Sequence, residues 1–250
     1  DFEDATECFP GVDIAGGICY FLWEKDSSGS CEIVNINNGV EVVSKRKLNE
    51  FKKFIRHSQA VPIVRKVLAK KEKVMSTQVS SRKPFGLATN VRPQKSGDII
   101  LHWQNGEGPY HSDELTCGKE IIKEWKVITS YVGYDHAGSP GKDGKRRVFS
   151  KIDILPPGTI CNETYLVIGS FKKKSQAANL VAYMKTRFFR FLISQFMYSH
   201  HITKESYAYV PILDMDVTWT DEALNKRYGL TNEEATFIEF KIKPMEAGGA

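Results

Sequence analysis

Apolar residues recur at spacings of three and four from Ala177 to Phe196, and this is the longest helical pattern in the chain. Such spacing places the side chains on one wide stripe of a helix. Ser175 is predicted to cap this helix, because its hydroxyl can accept from an N–H of the first turn. Three cations are expected off the stripe, on the other side of the helix: Lys185, Arg187 and Arg190. The pattern therefore predicts one long amphipathic helix that organises the core.

Short apolar runs between turn signals predict the strands. The run from Asn162 to Phe171 is rich in β-branched and aromatic residues and is typical of a buried strand. Ile18–Trp23 is apolar throughout and is also expected to be buried, and Cys31–Ile36 is predicted to pair back onto it as a hairpin. Further strands are predicted at Val40–Val43, Asp98–Trp103, Glu124–Thr129 and in the run that ends in Ile152–Gly158.

The remaining elements are predicted to be helices and loops. Residues 46–73 are expected to be helical, with Ser58 capping the second of two helices. A short helix is predicted between Thr220 and Gly229, and a capping box at Thr231 predicts a last helix to about Lys243. The fold class that follows is α+β: a mixed, strand-rich domain built around one long amphipathic helix, with C-terminal helices.

Composition excludes several classes of protein. The chain has 250 residues, of which 41% are hydrophobic and 26% charged, as in ordinary globular proteins. No apolar run approaches the roughly 20 residues that span a bilayer, so no membrane is expected. The five cysteines are widely spaced and include no CxxC pair, which argues against a disulfide scaffold and a zinc ribbon and favours a reducing cytoplasm. The acidic start resembles no signal peptide, and a chain without an initial Met is expected to be a C-terminal portion of a longer protein.

Positive charge is concentrated in the first 200 residues. The net charge is +5, of which residues 201–250 contribute −4 and the preceding residues +9. Such asymmetry is typical of a body that faces a polyanion, although a solvated surface explains the charge alone equally well. The cations on predicted loops and before the long helix are the candidate DNA-binding residues: Arg82, Lys83, Arg92, Lys95, Lys142, Lys145, Arg146, Arg147, Lys172, Lys173 and Lys174. The last three precede a helix N-terminus, which favours phosphate.

No catalytic motif supports an enzyme on its own. The segment around Lys142 lacks the spacing of a phosphate-binding loop, and His200–His201 has no nearby metal ligands in the sequence. Asp113, Glu124 and Lys126 match the end of a metal-dependent nuclease site, but so short a pattern arises easily by chance. No catalytic residue and no metal ligand is therefore assigned. Two alternatives to DNA binding stay open: a metal-dependent nuclease segment and a non-enzymatic interaction module.

Five segments together resemble the C-terminal region of type II restriction–modification DNA adenine N6-methyltransferases, including those that fuse methylation with cleavage. The similarity is to the TaqI-like C-terminal specificity domain. It covers nearly the whole chain, and the last segment is the most distinctive. The segments are FPGVDIAGGICYFLW (Phe9–Trp23), SSRKPFGLATN (Ser80–Asn90), CNETYLVIGSF (Cys161–Phe171), KTRFFRFL (Lys185–Leu192) and WTDEALNKRYGLTNEEATFIEFKIKPM (Trp219–Met245).

The resemblance implies a division of labour within a longer parent protein. Residues 1–43 would be strands at the end of the catalytic sheet, and residues 44–250 the target-recognition domain, with a helical tail from about residue 219. The partners would be double-stranded DNA and the catalytic domain of the same parent, which would bind S-adenosylmethionine, and Mg²⁺ if it also cleaves DNA. Neither the family's Asn-Pro-Pro-Tyr/Phe motif nor a cofactor-binding Gly motif occurs here. The fragment is therefore expected to bind no cofactor and to be inactive alone.

Overall fold

Three strands form the central sheet of this α+β protein: β5 (Trp125–Ser130), β6 (Ile152–Leu155) and β8 (Tyr165–Phe171). The structure, a computed structural model, describes residues 1–245 except residues 3, 13, 15, 27, 28, 38, 136–139, 142 and 198. Both β6 and β8 run antiparallel to β5. The α+β class and these three strands confirm the predictions from the apolar pattern.

The central sheet is covered on both faces, because its side chains alternate between two cores. Leu166 and Ile168 contact the larger core, which also contains α1 (Ala60–Ala69), α2 (Lys174–Lys185) and α3 (Arg187–Ser194). Tyr165 and Val167 contact a second core. That core packs against a smaller sheet of β4 (Gly106–Tyr110), β3 (Ile99–Trp103) and β7 (Thr159–Cys161). A strand buried on both faces reads as a continuous apolar run, as β8 does.

The predicted single long helix is wrong, because the chain breaks at Thr186 into α2 and α3. Thr186 adopts an extended backbone, and its hydroxyl accepts from the N–H of Phe189 at 3.1 Å. Asp221 takes the next two donors, the N–H groups of Arg187 and Phe188, at 3.0 and 2.8 Å. Apolar periodicity continues across the break and cannot reveal a cap supplied 34 residues later. Ser175 is also not the cap of α2, since the N-cap residue is Lys173.

Arg190 is buried, not exposed on the cationic side of the helix as predicted. Its side chain has no solvent exposure, and its three nitrogens donate to the carbonyls of Thr186, Lys185 and Arg147 at 3.3, 3.0 and 3.3 Å. Burial lowers its pKa to about 10, so the guanidinium remains charged at neutral pH. Arg190 therefore ties the helix break to the loop that contains Arg147.

The predicted buried strand at Ile18–Trp23 is also wrong. Within the part of the chain that the structure describes, only Ile18 of this run makes a β-bridge, to Phe2. The side chains of Tyr20 to Trp23 are 73–87% exposed. β1 (Cys31–Asn37) pairs instead with β2 (Val40–Arg46), and the expected domain boundary at residue 43 falls inside β2. An apolar run alone does not specify a strand, because it also needs a partner strand and a covering layer.

The predicted helices are confirmed in part. Residues 47–59 contain no helix, and Ser58 contacts the side chain of Asn35 in place of capping α1. At the C-terminal side, α4 (Asp221–Tyr228) ends at Gly229 with a positive φ, and the predicted capping box begins α5 (Asn232–Lys241). No helix among the described residues is long and apolar enough to cross a membrane.

Candidate nucleic-acid interface

Residues 131–134 follow β5 and bring the two predicted basic loops to one end of the central sheet. Gly133 donates its N–H to the carbonyl of His200 at 2.7 Å, and Tyr134 donates to the carbonyl of Val148 at 2.9 Å. The carbonyl of Tyr131 accepts from Ile202 at 2.8 Å. This short segment is thus held between the chain after α3 and the chain that leads into β6.

Two arginines lie over tyrosine rings of this segment. The guanidinium carbon of Arg82 is 4.9 Å from the ring centroid of Tyr131, and that of Arg147 is 4.6 Å from the ring of Tyr134. Both distances are within the range of a cation–π contact. His201 stacks on Tyr131 with centroids 4.6 Å apart and planes 28° apart. We call this group the arginine–aromatic ridge: Arg82, Tyr131, Tyr134, Arg147, His200 and His201.

The histidine pair extends the cationic and aromatic surface of the ridge. The ring centroids of His200 and His201 are 3.9 Å apart, and His200 is exposed. Burial lowers the pKa of His201, and the nearby His200 and Arg82 lower it further. A phosphate near this pair would favour the protonated imidazole. Rings and cations side by side are the groups that contact bases and phosphates in nucleic-acid complexes.

Glu163 anchors the first basic loop, which has neither helix nor strand in residues 79–97, as predicted. One carboxylate oxygen accepts from the N–H and the hydroxyl of Thr89, both at 3.0 Å. The other oxygen lies 3.3 Å from Arg82 Nε and 3.7 Å from Lys83 Nζ. Burial would raise the pKa of Glu163, but these hydrogen bonds and cations lower it. The carboxylate therefore stays charged and fixes the direction of Arg82.

The same loop places two more predicted cations near the β3–β4 hairpin. The guanidinium of Arg92 lies 4.3 Å from the ring centroid of Trp103 and donates to the carbonyl of Thr89 at 2.7 Å. Lys95 is exposed. The tip of the hairpin therefore forms a second cationic and aromatic surface, which is also held through Thr89.

The backbone of Arg147 is bound on both sides by buried charged groups. The carboxylate of Asp135 accepts from the N–H groups of Arg147 and Val148 at 3.0 and 2.8 Å. Arg190 donates to the carbonyl of Arg147 at 3.3 Å. Val148 has a φ of 73°, in the left-handed region that a β-branched residue rarely adopts. These contacts hold a strained backbone in place.

The residues that precede Arg147 in the loop form contacts within the protein. The N–H of Arg146 donates to the carbonyl of Lys241, the last residue of α5, and its carbonyl accepts from Lys243. Its guanidinium donates to the carbonyl of Ser194 at 3.2 Å. Lys145 closes a turn with Gly141 through its carbonyl. Lys142 lies outside the described residues. Arg146 is therefore a structural contact rather than an outward-facing cation.

The three predicted lysines at the start of α2 are at the opposite end of the central sheet. Trp125 pairs with Phe171 at one end of β5, and Ser130 pairs with Tyr165 at the other. A strand of this length spans about 17 Å. Lys172, Lys173 and Lys174 are exposed beside Trp125, whose ring centroid is 5.4 Å from Lys174 Nζ. The structure therefore separates these three lysines from the cations of the ridge.

Lys126 is not available as the lysine of a nuclease site. Its side chain is fully buried, and Nζ donates to the carbonyls of Glu124, Ile122 and Ile121 at 2.6, 3.0 and 3.2 Å. Burial lowers the pKa of Lys126 to about 8. Within the described ranges, no group of three or more His, Cys, Asp or Glu residues could hold a metal ion. The amine instead joins the loop before β5 to the sheet.

Sequence reasoning missed the residues that position the cations. Tyr131, Tyr134, Asp135 and Glu163 are not among the predicted site residues, because none belongs to a cluster of cations. The available signal was the sequence YVGYDH after a predicted strand, which places two aromatic rings beside a basic loop. Comparisons with known proteins add no assignment: no family model and no curated protein matches this chain.

Proposed function

We propose that this chain binds double-stranded DNA as the target-recognition part of a restriction–modification DNA adenine N6-methyltransferase. The observation that carries the proposal is the arginine–aromatic ridge, in which the exposed Arg82 and the half-buried Arg147 lie on tyrosine rings at one end of the central sheet. Lys and Arg supply phosphate contacts, and planar side chains contact bases. The ridge lies at the end of the central sheet, against which both cores pack. A recognition surface requires rigid support of this kind.

The anchoring of the basic loops also favours a binding role. A solvated surface charge needs no support, yet Glu163 holds Arg82, and Asp135 and Arg190 hold the backbone of Arg147. Such contacts restrict the loops before a ligand arrives and so lower the entropy lost on binding. The methyltransferase context is proposed from the five resembling segments alone. There, recognition would accompany extrusion of the target adenine by a separate catalytic domain that binds S-adenosylmethionine.

Neither alternative explains the geometry as well. A nuclease that uses Lys126 would need its amine near a metal-bound water, but the amine is surrounded by carbonyl oxygens. A non-enzymatic protein-interaction module is favoured by one observation, the exposed apolar side chains of Tyr20 to Trp23. That segment is separate from the ridge and is compatible with DNA binding.

The experiment is fluorescence anisotropy with labelled duplexes of random sequence, using the full 250-residue chain between 50 and 200 mM salt. We expect binding that weakens steeply as salt rises, because each phosphate contact releases counterions. The double variant Arg82→Ala/Lys83→Ala should weaken binding and reduce the salt slope by about 1 to 2.

The matched control is Arg65→Ala, which removes an exposed cation paired with Glu50 on α1. It should leave the affinity for duplexes unchanged. Absence of binding by the wild-type chain at 50 mM salt would contradict the proposal, as would equal losses in the control and the ridge variant.

A further inference from the structure

Arg147 differs from every other arginine of the chain in how its guanidinium is engaged. The sequence has ten arginines. Nine of them form a side-chain hydrogen bond or ion pair: Arg46, Arg56, Arg65, Arg82, Arg92, Arg146, Arg187, Arg190 and Arg227. Among the described residues, the guanidinium of Arg147 has neither, and it contacts only the ring of Tyr134. Its N–H groups are therefore available to a ligand.

The backbone below this side chain is held by two buried charged groups. Its N–H is bound by the carboxylate of Asp135, and its carbonyl by the buried guanidinium of Arg190. The following residue, Val148, is fully buried in the left-handed conformation. A fixed backbone and a ring beneath the guanidinium leave the side chain little freedom. Among the residues that the structure describes, the guanidinium of Arg147 thus has no hydrogen bond or ion pair, while its backbone is fixed.

We infer that Arg147 is a specificity-determining residue that reads a guanine edge in the major groove, an inference that rests on the proposed function. A guanidinium donates two parallel hydrogen bonds to O6 and N7 of guanine, and this contact requires accurate placement. A phosphate contact requires only a nearby positive charge, which a mobile lysine supplies equally well. The contacts that hold Arg147 provide the accurate placement that a guanine contact requires. A phosphate contact would not need them.

Arg82 and Arg92 are less suited to the same role. The charge of Arg82 is already paired with Glu163, and the guanidinium of Arg92 donates to two carbonyls of its own loop. Reading a base with either would require breaking these contacts first. Their positions suit phosphate contacts beside the groove, while the fork of Arg147 is unbound from the start.

The test begins with selection of a preferred duplex from a random library by the wild-type chain. Dissociation constants for the selected and a scrambled duplex are then measured at one salt concentration for wild type, Arg147→Ala and Arg147→Lys. Discrimination is the dissociation constant for the scrambled duplex divided by that for the selected duplex. We expect Arg147→Ala to reduce this ratio by roughly 5- to 150-fold, with little change in the constant for the scrambled duplex. Arg147→Lys should lose discrimination to a similar extent, because an ammonium keeps the charge but not the fork.

The matched control is Lys174→Ala, which also removes one cation that lies over an aromatic ring. It should weaken binding to both duplexes equally. Circular dichroism of each variant checks that its fold is intact, and Arg147→Lys, which changes least, is the second probe if Arg147→Ala unfolds.

The outcomes separate this inference from the proposed function. Equal weakening of both duplexes by Arg147→Ala, full discrimination by Arg147→Lys, or a library that yields no preferred duplex would overturn the inference and leave DNA binding intact. Failure of the wild-type chain to bind any duplex would overturn the proposed function and this inference with it.

Discussion

The two ends of the central sheet carry cations in opposite ways. At the end of β5 that contains Ser130, arginines lie on tyrosine rings, and buried charged side chains hold the loops that present them. At the end that contains Trp125, three exposed lysines lie at the start of α2, and the contacts of their side chains are the ring of Trp125 and a 3.9 Å pairing of Lys173 with Asp216 in the described part of the chain. Under the proposed function, we expect the two arrangements to serve two purposes: accurate contact with bases at the first end and general attraction of phosphate at the second.

The largest expected effect is on the free energy of unfolding, when the buried side chain that holds the loop of Arg147 is replaced. Replacing Arg190 by Met removes a buried guanidinium and its three hydrogen bonds to the carbonyls of Thr186, Lys185 and Arg147. We expect the free energy of unfolding to fall by about 3 kcal/mol, measured by urea denaturation. The control Arg65→Met removes an exposed ion pair and should change it by less than about 0.5 kcal/mol. Equal effects of the two substitutions would remove the distinction between buried support and surface charge.

The next effect concerns the lysine end. Replacing Lys172, Lys173 and Lys174 together by Ala should reduce the slope of log affinity against log salt by about 2 to 3. The lower figure is expected if the pairing of Lys173 with Asp216 persists on DNA. The preference for the selected duplex should stay unchanged, because phosphate contacts carry no sequence information. A loss of that preference in anisotropy titrations would place base readout at this end instead.

A smaller effect tests whether Asp135 positions Arg147. Asp135→Asn preserves the shape of the side chain, but its amide nitrogen cannot accept, so one of the two hydrogen bonds from the loop is lost and the other is weakened by removal of the charge. Discrimination between the selected and scrambled duplexes should fall about fivefold, corresponding to about 1 kcal/mol. Affinity for the scrambled duplex should stay the same. Asp143→Asn, which alters an exposed carboxylate of the same loop, is the control and should retain full discrimination.

The smallest effect is a pH dependence at the histidine pair. Since the pKa of His201 is lower in the folded than in the unfolded chain, its stabilising contribution is complete above about pH 6.5 and is lost as the pH falls through the folded pKa. Solvent screens a partly exposed ring, so the loss should stay below about 0.5 kcal/mol. An NMR titration of the imidazole measures the pKa directly. A value above 6.5 would show that burial and the neighbouring His200 and Arg82 do not disfavour its charge.

The fold could be predicted from the sequence where the residues of an element alone determine its structure. β8 was predicted as buried because it is apolar throughout, and α5 because Thr231 and Glu234 cap it locally. The break at Thr186 could not be predicted, since Asp221 supplies the cap from a distant segment. The run Tyr20–Trp23 was misassigned for a related reason: burial depends on partners that the run itself does not specify.

The candidate site was predicted in its cations but not in its organisation. Charge on loops identified Arg82 and Arg147, but the tyrosines beneath them are separated from Arg82 by about 50 residues in sequence. Charge also could not distinguish Arg146 from Arg147. One donates to the carbonyl of Ser194, whereas the other lies over the ring of Tyr134. Adjacent residues with identical side chains acquire different roles only through the fold.

Val148 has a consequence for laboratory evolution of this protein. A valine in the left-handed conformation costs about 1 to 3 kcal/mol relative to a relaxed backbone. Selection for heat resistance alone would accept substitutions that relax this residue. Variants selected only for survival are expected to gain melting temperature and to lose preference among DNA sequences, as trade-offs between stability and activity predict. Substitution at position 148 would then raise thermal stability and lower sequence preference together.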